Sequence, residues 1–126
     1  MRILLDTPIL LWWLNDDANL TQETEKYIVS AENEIYISTV STWEIAIKQS
    51  IGRLEVDLRE FEEAIGKSGL TTLSITMPHT LAIADLPMHH TDPFDRLLVA
   101  QSKVEPLRLL THDKKLELYG DNIILV

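Results

Sequence analysis

Acidic residues stand at four places in this chain where a strand or helix is expected to begin or end: Asp6 in LLDTP, Glu44 in STWEIAIK, Asp92 and Asp95 in HTDPFDRLLVAQ, and Asp113 in LLTHD. Carboxylates drawn from distant segments onto one edge of a sheet would repel one another in a dry cleft, with raised pKa values, unless hard cations such as Mg²⁺ or Mn²⁺ shared them. Two such ions roughly 3.5 to 4 Å apart can activate water and stabilise the leaving oxygen of a phosphodiester. The chemistry these residues suggest is therefore phosphate chemistry.

Each acid also has a plainer reading. Ser41 to Glu44 fits the capping box S-x-x-E, in which Glu44 only satisfies helix N–H groups. Asp92-Pro93-x-Asp95 fits an N-cap followed by a first-turn proline and an acid. Asp113 can cap a short helix after it. Asp6 closes an apolar strand and has no capping duty unless a helix starts at once.

The elements that must position these acids follow from the periodicity. Arg2 to Leu5 reads as a strand apolar on both faces, the pattern of a parallel sheet covered by helices. Ile9, Leu10, Trp13 and Leu14 recur at helical spacing, and Thr21 is an N-cap for a helix running to about Ser30. Ile35 to Ile37 forms a second strand, and Ser41 to Ile51 a helix stopped by Gly52. A charged helix from Leu58 to about Lys67 places Leu58, Phe61 and Ile65 on one stripe before Gly69 closes it. Leu70 to Ile75 is a third strand, and Pro78 opens a helix containing Leu81, Ala82 and Ile83. After a loop from Leu86 to Thr91, Asp92-Pro93 starts an apolar helix to about Ser102. Leu107 to Leu110 is a fourth strand, Lys114 to Tyr119 a short helix, and Asn122 to Val126 a fifth strand. This alternation predicts a three-layer α/β/α sandwich around a parallel sheet, occupying residues 1–126 as one domain without linker or repeat. In such sheets ligands gather beyond the carboxyl ends of the strands, where Asp6 and Asp113 fall and where the helices carrying Glu44 and Asp95 begin.

Composition narrows the classes. A chain of 126 residues with 45% hydrophobic residues can build a core unaided. It has no cysteine, which excludes disulfides, thiolate catalysis and cysteine-held zinc or iron–sulfur centres. No stretch approaches a membrane span and no signal peptide is completed before Asp6, so an intracellular, cytoplasmic protein is expected. Eleven basic residues against 20 acidic ones give a formal net charge of -9, against a generic nucleic-acid backbone binder. Carboxylates that hold cations are counted in that sum, so the local field at a metal site can be opposite.

Other residues carry weaker signals. His79, His89, His90 and His112 show no helical metal spacing, and His89-His90 is at most a zinc or acid–base hint. Thr7 and Thr111 suit supporting donors to ligating carboxylates, or ordinary turn hydrogen bonds. Arg96 suits a nearby acid or a phosphate, and Lys48 stands one helical turn after Glu44, where it can pair with it. Trp12, Trp13 and Trp43 read as core or interface groups.

At these residues the chain resembles a known family. LLDTPILLWWL, ISTVSTWEIAIKQSIGRL, DLPMHHTDPFDRLLVAQS and LLTHDKKLELYG together look like the PIN domain, specifically the VapC-like toxins of type II toxin–antitoxin pairs. The match covers nearly the whole chain, and four blocks in order are far more specific than any one. The resemblance implies a five-stranded parallel sheet and a Mg²⁺- or Mn²⁺-dependent endoribonuclease that cuts single-stranded or looped RNA to leave 5′-phosphate and 3′-hydroxyl ends. It matches Asp6, Glu44, Asp95 and Asp113 to the family's acidic quartet, with Asp92 as an added acid. It also implies a homodimer held inactive by a cognate antitoxin, whose basic segments would suit an acidic surface. Two departures are mild: Pro8 stands where relatives often have His, and His112, where a small residue is usual, could alter metal geometry or proton transfer.

Rival classes fit less well. An aspartyl phosphatase would commonly show D-x-D where this chain has Asp6-Thr7-Pro8, and a receiver domain would want an acidic pair and a late lysine that are absent. A non-catalytic PIN-like domain binding RNA or protein is the alternative that shares the same residues.

Overall fold

The computed structural model describes residues 1–126. Five strands, β1 (Arg2–Leu5), β2 (Glu34–Ser38), β3 (Thr71–Leu73), β4 (Arg108–Thr111) and β5 (Ile123–Leu125), form one sheet in the order β3-β2-β1-β4-β5. Every pairing is parallel, with Leu4 opposite Tyr36 of β2 and Leu109 of β4. Parallel strands need long crossovers, and helices supply them. They are α1 (Thr7–Leu14), α2 (Gln22–Val29), α3 (Thr39–Ser50), α4 (Leu58–Lys67), α5 (Met77–Ala82) and α6 (Pro93–Val104), with 3₁₀ turns at Ile83–Asp85 and Lys114–Tyr119.

Two apolar cores lie on the two faces of the sheet, as strands apolar on both sides require. Leu4 and Leu109 pack with Leu97, Leu98 and Val99 of α6. Ile3, Leu5 and Leu110 point the other way and pack with Ile9 and Leu10 of α1, Ile28 of α2 and Ile45 of α3. Each buried Leu or Ile stabilises by roughly 1.5–3 kcal/mol relative to exposure. The predicted three-layer arrangement is therefore the observed one.

Several boundaries differ from expectation, each for a local reason. The third strand is Thr71–Leu73, shorter than the Leu70 to Ile75 span, because only these residues pair with the edge of β2. Helix α3 starts at Thr39, capped by Ser38 Oγ accepting from the Val40 N–H. It begins two residues earlier than the Ser41 start, which removes the capping-box role of Ser41 and Glu44. The charged helix α4 buries Phe61 and Ile65 partly, but Leu58 stays exposed at its first position. Gly52 and Gly69 both take φ of 75°, a left-handed conformation that ends α3 and follows α4 without the cost a side chain would bring.

The strand order reverses at β1. From β1 the chain moves outward to β2 and β3, then returns to the other side of β1 for β4 and β5. The crevice beyond the carboxyl ends of β1 and β4 is thus the switch point at which open α/β sheets bind ligands. Asp6 follows β1 directly, and Asp113 comes two residues after β4.

Candidate active site

Helix α1 begins immediately after β1, so Asp6 is a capping residue after all. Its Oδ1 accepts from the Ile9 N–H at 3.1 Å, and its Oδ2 accepts from the Thr111 hydroxyl at 2.6 Å. Asp6 is 2% exposed. Burial pushes its carboxyl from an ordinary 3.8 up to about 6, against the opposing hydrogen bonds from Thr111 and the Ile9 and His112 backbones.

Asp95 sits in the first turn of α6, behind its N-cap Asp92. Asp92 Oδ1 accepts from the Phe94 and Asp95 N–H groups at 2.8 and 3.2 Å, so this acid performs the structural duty its spacing suggests. Asp95 performs no such duty. Its carboxyl is raised to about 7, first by burial, then by the negative charges of Asp92, Asp6 and, more weakly, Glu44, with His90 acting in the opposite sense. Those couplings place Asp6, Glu44 and Asp95 in one electrostatic neighbourhood although they come from three different elements.

Glu44 projects from the second turn of α3 and is 5% exposed. Its Oε2 pairs with Lys48 Nζ at 2.5 Å, one helical turn along. Its Oε1 is buried with no hydrogen-bond partner, the one such side-chain atom in the chain. An ionised oxygen in that state costs several kcal/mol unless something outside the chain compensates it.

Asp113 lies at the rim, with more than a third of its side chain exposed. Its Oδ1 caps the 3₁₀ turn by accepting from the Lys115 N–H at 2.9 Å, and its Oδ2 meets His90 Nε2 at 2.9 Å. Burial pushes this carboxyl up, but the Lys115 N–H and the His90 hydrogen bond outweigh it and hold it below its ordinary value.

The supporting residues divide. Thr111 donates to Asp6 and accepts from the Asp113 N–H at 3.0 Å, tying two of the acids to one hydroxyl. Thr7 instead donates to Ser41 Oγ at 2.9 Å in the interior, bracing α1 against α3 one turn before Glu44. Arg96 points away from the acids. Its Nη1 donates to the Pro87 carbonyl and the Tyr119 hydroxyl, and its Nη2 to the Ile83 carbonyl, so it anchors the segment before α6 and forms no ion pair. His112 also turns aside, onto the Trp12 ring and the Val126 carbonyl.

His90 is the residue that local spacing undervalued. It belongs to a loop, and no ligand motif links it to residues in the turns after β4 or at the start of α6. Only the folded chain brings its Nε2 to Asp113 and within 3.5 Å of Asp95 Oδ2.

The acids line none of the chain's four cavities. They form instead an edge graded from buried Asp6 and Glu44 to half-buried Asp113. A buried oxygen without a donor, two carboxyls raised chiefly by burial and further by neighbouring negative charge, and an all-oxygen acidic donor set fit a hard divalent cation.

The fold and this acidic edge define a class. The PIN domain family model matches residues 3–122, and the chain belongs to that family. Among solved structures it is similar to a chain of VapBC2 from Rickettsia felis bound to a DNA fragment from their promoter, with a TM-score of 0.73 and 18% identity over 100% of this chain and 98% of that one. It is also similar to FitAcB from Neisseria gonorrhoeae, with a TM-score of 0.68 and 16% identity over 98% and 96%. A toxin–antitoxin complex from Klebsiella pneumoniae gives 0.65 and 17% over 97% and 95%. At these identities the likeness is one of fold. No curated protein matches the chain by sequence.

Proposed function

We propose that this chain, as one nuclease domain, is a Mg²⁺- or Mn²⁺-dependent endoribonuclease and the toxin of a toxin–antitoxin pair. The observation that carries the reading is the excess of unmatched negative charge at the switch point: Glu44 Oε1 without a donor beside Asp6 and Asp95, whose carboxyls are raised to about 6 and about 7. Asp6, Glu44 and Asp95 would hold the cation, with Asp113 at the rim. A divalent ion held there supplies water activation and offsets charge on a phosphodiester. Thr111 keeps Asp6 oriented, the Lys48 ammonium holds one oxygen of Glu44 and leaves the other open, and the rim lets an RNA strand approach from solvent.

The partner reading rests on the solved structures similar to this chain, which include VapBC2 and a toxin–antitoxin complex, and on surface chemistry. A cleft of about 320 Å³ between α1 and α4 joins Leu11, Val56 and Phe61 to Glu55, Asp57 and Glu60. Partly buried apolar residues beside exposed acids suit a basic, amphipathic antitoxin segment, and the chain's net charge of -9 favours the same partner. No helix is long and apolar enough to cross a membrane. A cytoplasmic homodimer, released when the antitoxin is lost, completes the proposal.

The test is the purified protein, freed of any co-purifying partner and incubated with defined RNAs with and without Mn²⁺, the cut ends being mapped. Cleavage that requires the ion and vanishes in Asp6→Asn and Asp95→Asn is the expected result. Equal cleavage by the wild type and both variants would sink it. RNA binding with no cleavage by any of the three would favour the alternative of a non-catalytic PIN-like domain.

A further inference from the structure

His90 is fixed at both its backbone and its ring. Its backbone N–H donates to the Tyr119 hydroxyl at 3.1 Å, and that same hydroxyl accepts from Arg96 Nη1. Its Nδ1 accepts from the Asp92 N–H at 3.0 Å. An imidazole nitrogen that accepts a hydrogen bond carries no proton, so the ring's proton is assigned to Nε2 from the hydrogen-bond pattern. Nε2 faces Asp113 Oδ2 at 2.9 Å and Asp95 Oδ2 at 3.5 Å.

The ligand-type atoms of His90, Asp95 and Asp113 lie within 4.8 Å of one another, a spacing that a metal ion could bridge. The hydrogen bonds argue against His90 as a ligand there. Coordination needs a free lone pair on Nε2, which would move the proton to Nδ1 and set it against the Asp92 N–H that Nδ1 now accepts. His90 instead presents an N–H between two carboxylates, the electrostatic service a cation would otherwise give. Asp113 has both oxygens engaged, by Lys115 and by His90, whereas Glu44 Oε1 has no partner. The acidic edge thus has a filled end and an open end.

Resting on the metal-dependent reading above, we propose that His90 is a positioning residue that takes the place of a second cation between Asp95 and Asp113, so that the chain holds one divalent ion, among Asp6, Glu44 and Asp95. Arg96 and Tyr119 belong to the same device, since they hold the backbone that carries the ring. The two-ion arrangement common in phosphodiester hydrolysis would then be reduced to one ion and one N–H donor.

Mn²⁺ titration of the full chain, freed of partner, by calorimetry and electron paramagnetic resonance tests this without reference to cleavage. The wild type should bind one ion with an uncoupled spectrum. His90→Asn keeps an acceptor for the Asp92 N–H but is too short to place its amide donor where Nε2 stands, and should bind two ions with the exchange-coupled signal of a close pair. His90→Gln, which restores a donor at the Nε2 position, should return to one. Two ions in the wild type, or one in His90→Asn with unchanged circular dichroism, would overturn the proposal while leaving the metal centre intact. If His90→Asn fails to fold, Tyr119→Phe supplies the same test. It removes the hydroxyl that anchors the His90 backbone and should raise the stoichiometry above one; a value of one overturns the proposal. An Asp6→Asn variant that binds Mn²⁺ as tightly as the wild type, or a wild type that binds none, would overturn the metal-dependent reading and this inference together.

Discussion

Two polar clusters are buried in this molecule, and they are built to opposite rules. In the first, Ser38 Oγ donates to Gln101 Oε1, and the Gln101 amide and the Thr76 N–H both approach His79 Nδ1, at 3.3 and 3.0 Å. His79 Nε2 completes the chain at Glu105 Oε2. Every acceptor there has a donor, and the result ties the start of α3 to α5 and α6. In the second cluster, at the carboxyl edge of the sheet, acceptors outnumber donors: Glu44 Oε1 has none, and the Asp6 and Asp95 carboxyls are pushed up by burial and by neighbouring charge. A polar cluster that is complete within the chain serves the fold, whereas one that is incomplete needs something from outside it.

The comparison breaks most visibly in catalysis. Asp6→Asn or Asp95→Asn should lower Mn²⁺-dependent RNA cleavage by at least about a thousandfold, roughly 4 kcal/mol of transition-state stabilisation. Single-turnover rates on a defined RNA check it. His79→Ala, in the complete cluster, should instead cost about 3 kcal/mol of folding stability by stranding Thr76, Gln101 and Glu105. Urea unfolding measures that loss, and Mn²⁺ affinity of the folded variant should stay within about threefold of wild type.

The incomplete cluster should also show itself in stability against pH. A carboxyl whose folded pKa lies above its unfolded value binds more protons in the folded state, so stability falls as pH rises from about 4 through about 6 for Asp6 and about 7 for Asp95. The metal-free protein should therefore lose stability between about pH 4 and 7, and Asp95→Asn should recover about 1–3 kcal/mol of it at pH 8. Millimolar Mg²⁺ should flatten the wild-type profile. Thermal melts across that range in chelator and in Mg²⁺ decide the matter, and a metal-free stability that rises with pH would contradict the assignment.

The smallest effect concerns Asp92. Asp92→Asn keeps a cap for Phe94 and Asp95, whereas Asp92→Ala loses it at about 1 kcal/mol. Both remove the same charge, so equal Mn²⁺ affinities with unequal melting temperatures would mark Asp92 as a cap. Equal stabilities with reduced affinity in both would restore it as a ligand.

Much of the fold was legible in the chain because burial on both faces of a parallel sheet leaves a local signature. Arg2 to Leu5 and the fourth strand are continuous apolar runs, and the helices between them repeat at 3.6 residues. Boundaries were less legible where a cap and its competitor stand side by side. Ser38 and Ser41 are both sound N-caps, and the end of β2 at Ser38 decided between them. Asp6 illustrates the same limit: its capping role depends on α1 starting without a loop, which depends on how tightly α1 packs over Leu5 and Leu110.

The sequence by itself determined the class of the molecule: an alternating α/β chain, cysteine-free and acidic, with carboxylates at strand ends and helix starts, in an order shared with one family. Those properties are carried by residue type, period and spacing, which are local. Only the tertiary structure decided which acids are left unmatched. It gave Asp6 and Asp113 capping duties beside their places at the site, made Asp92 a cap, and left Asp95 and one oxygen of Glu44 without hydrogen-bond donors. It also turned Arg96 away from the acids and brought His90 to them. Hydrogen-bond satisfaction is a sum over neighbours from distant segments, and no spacing along the chain encodes it.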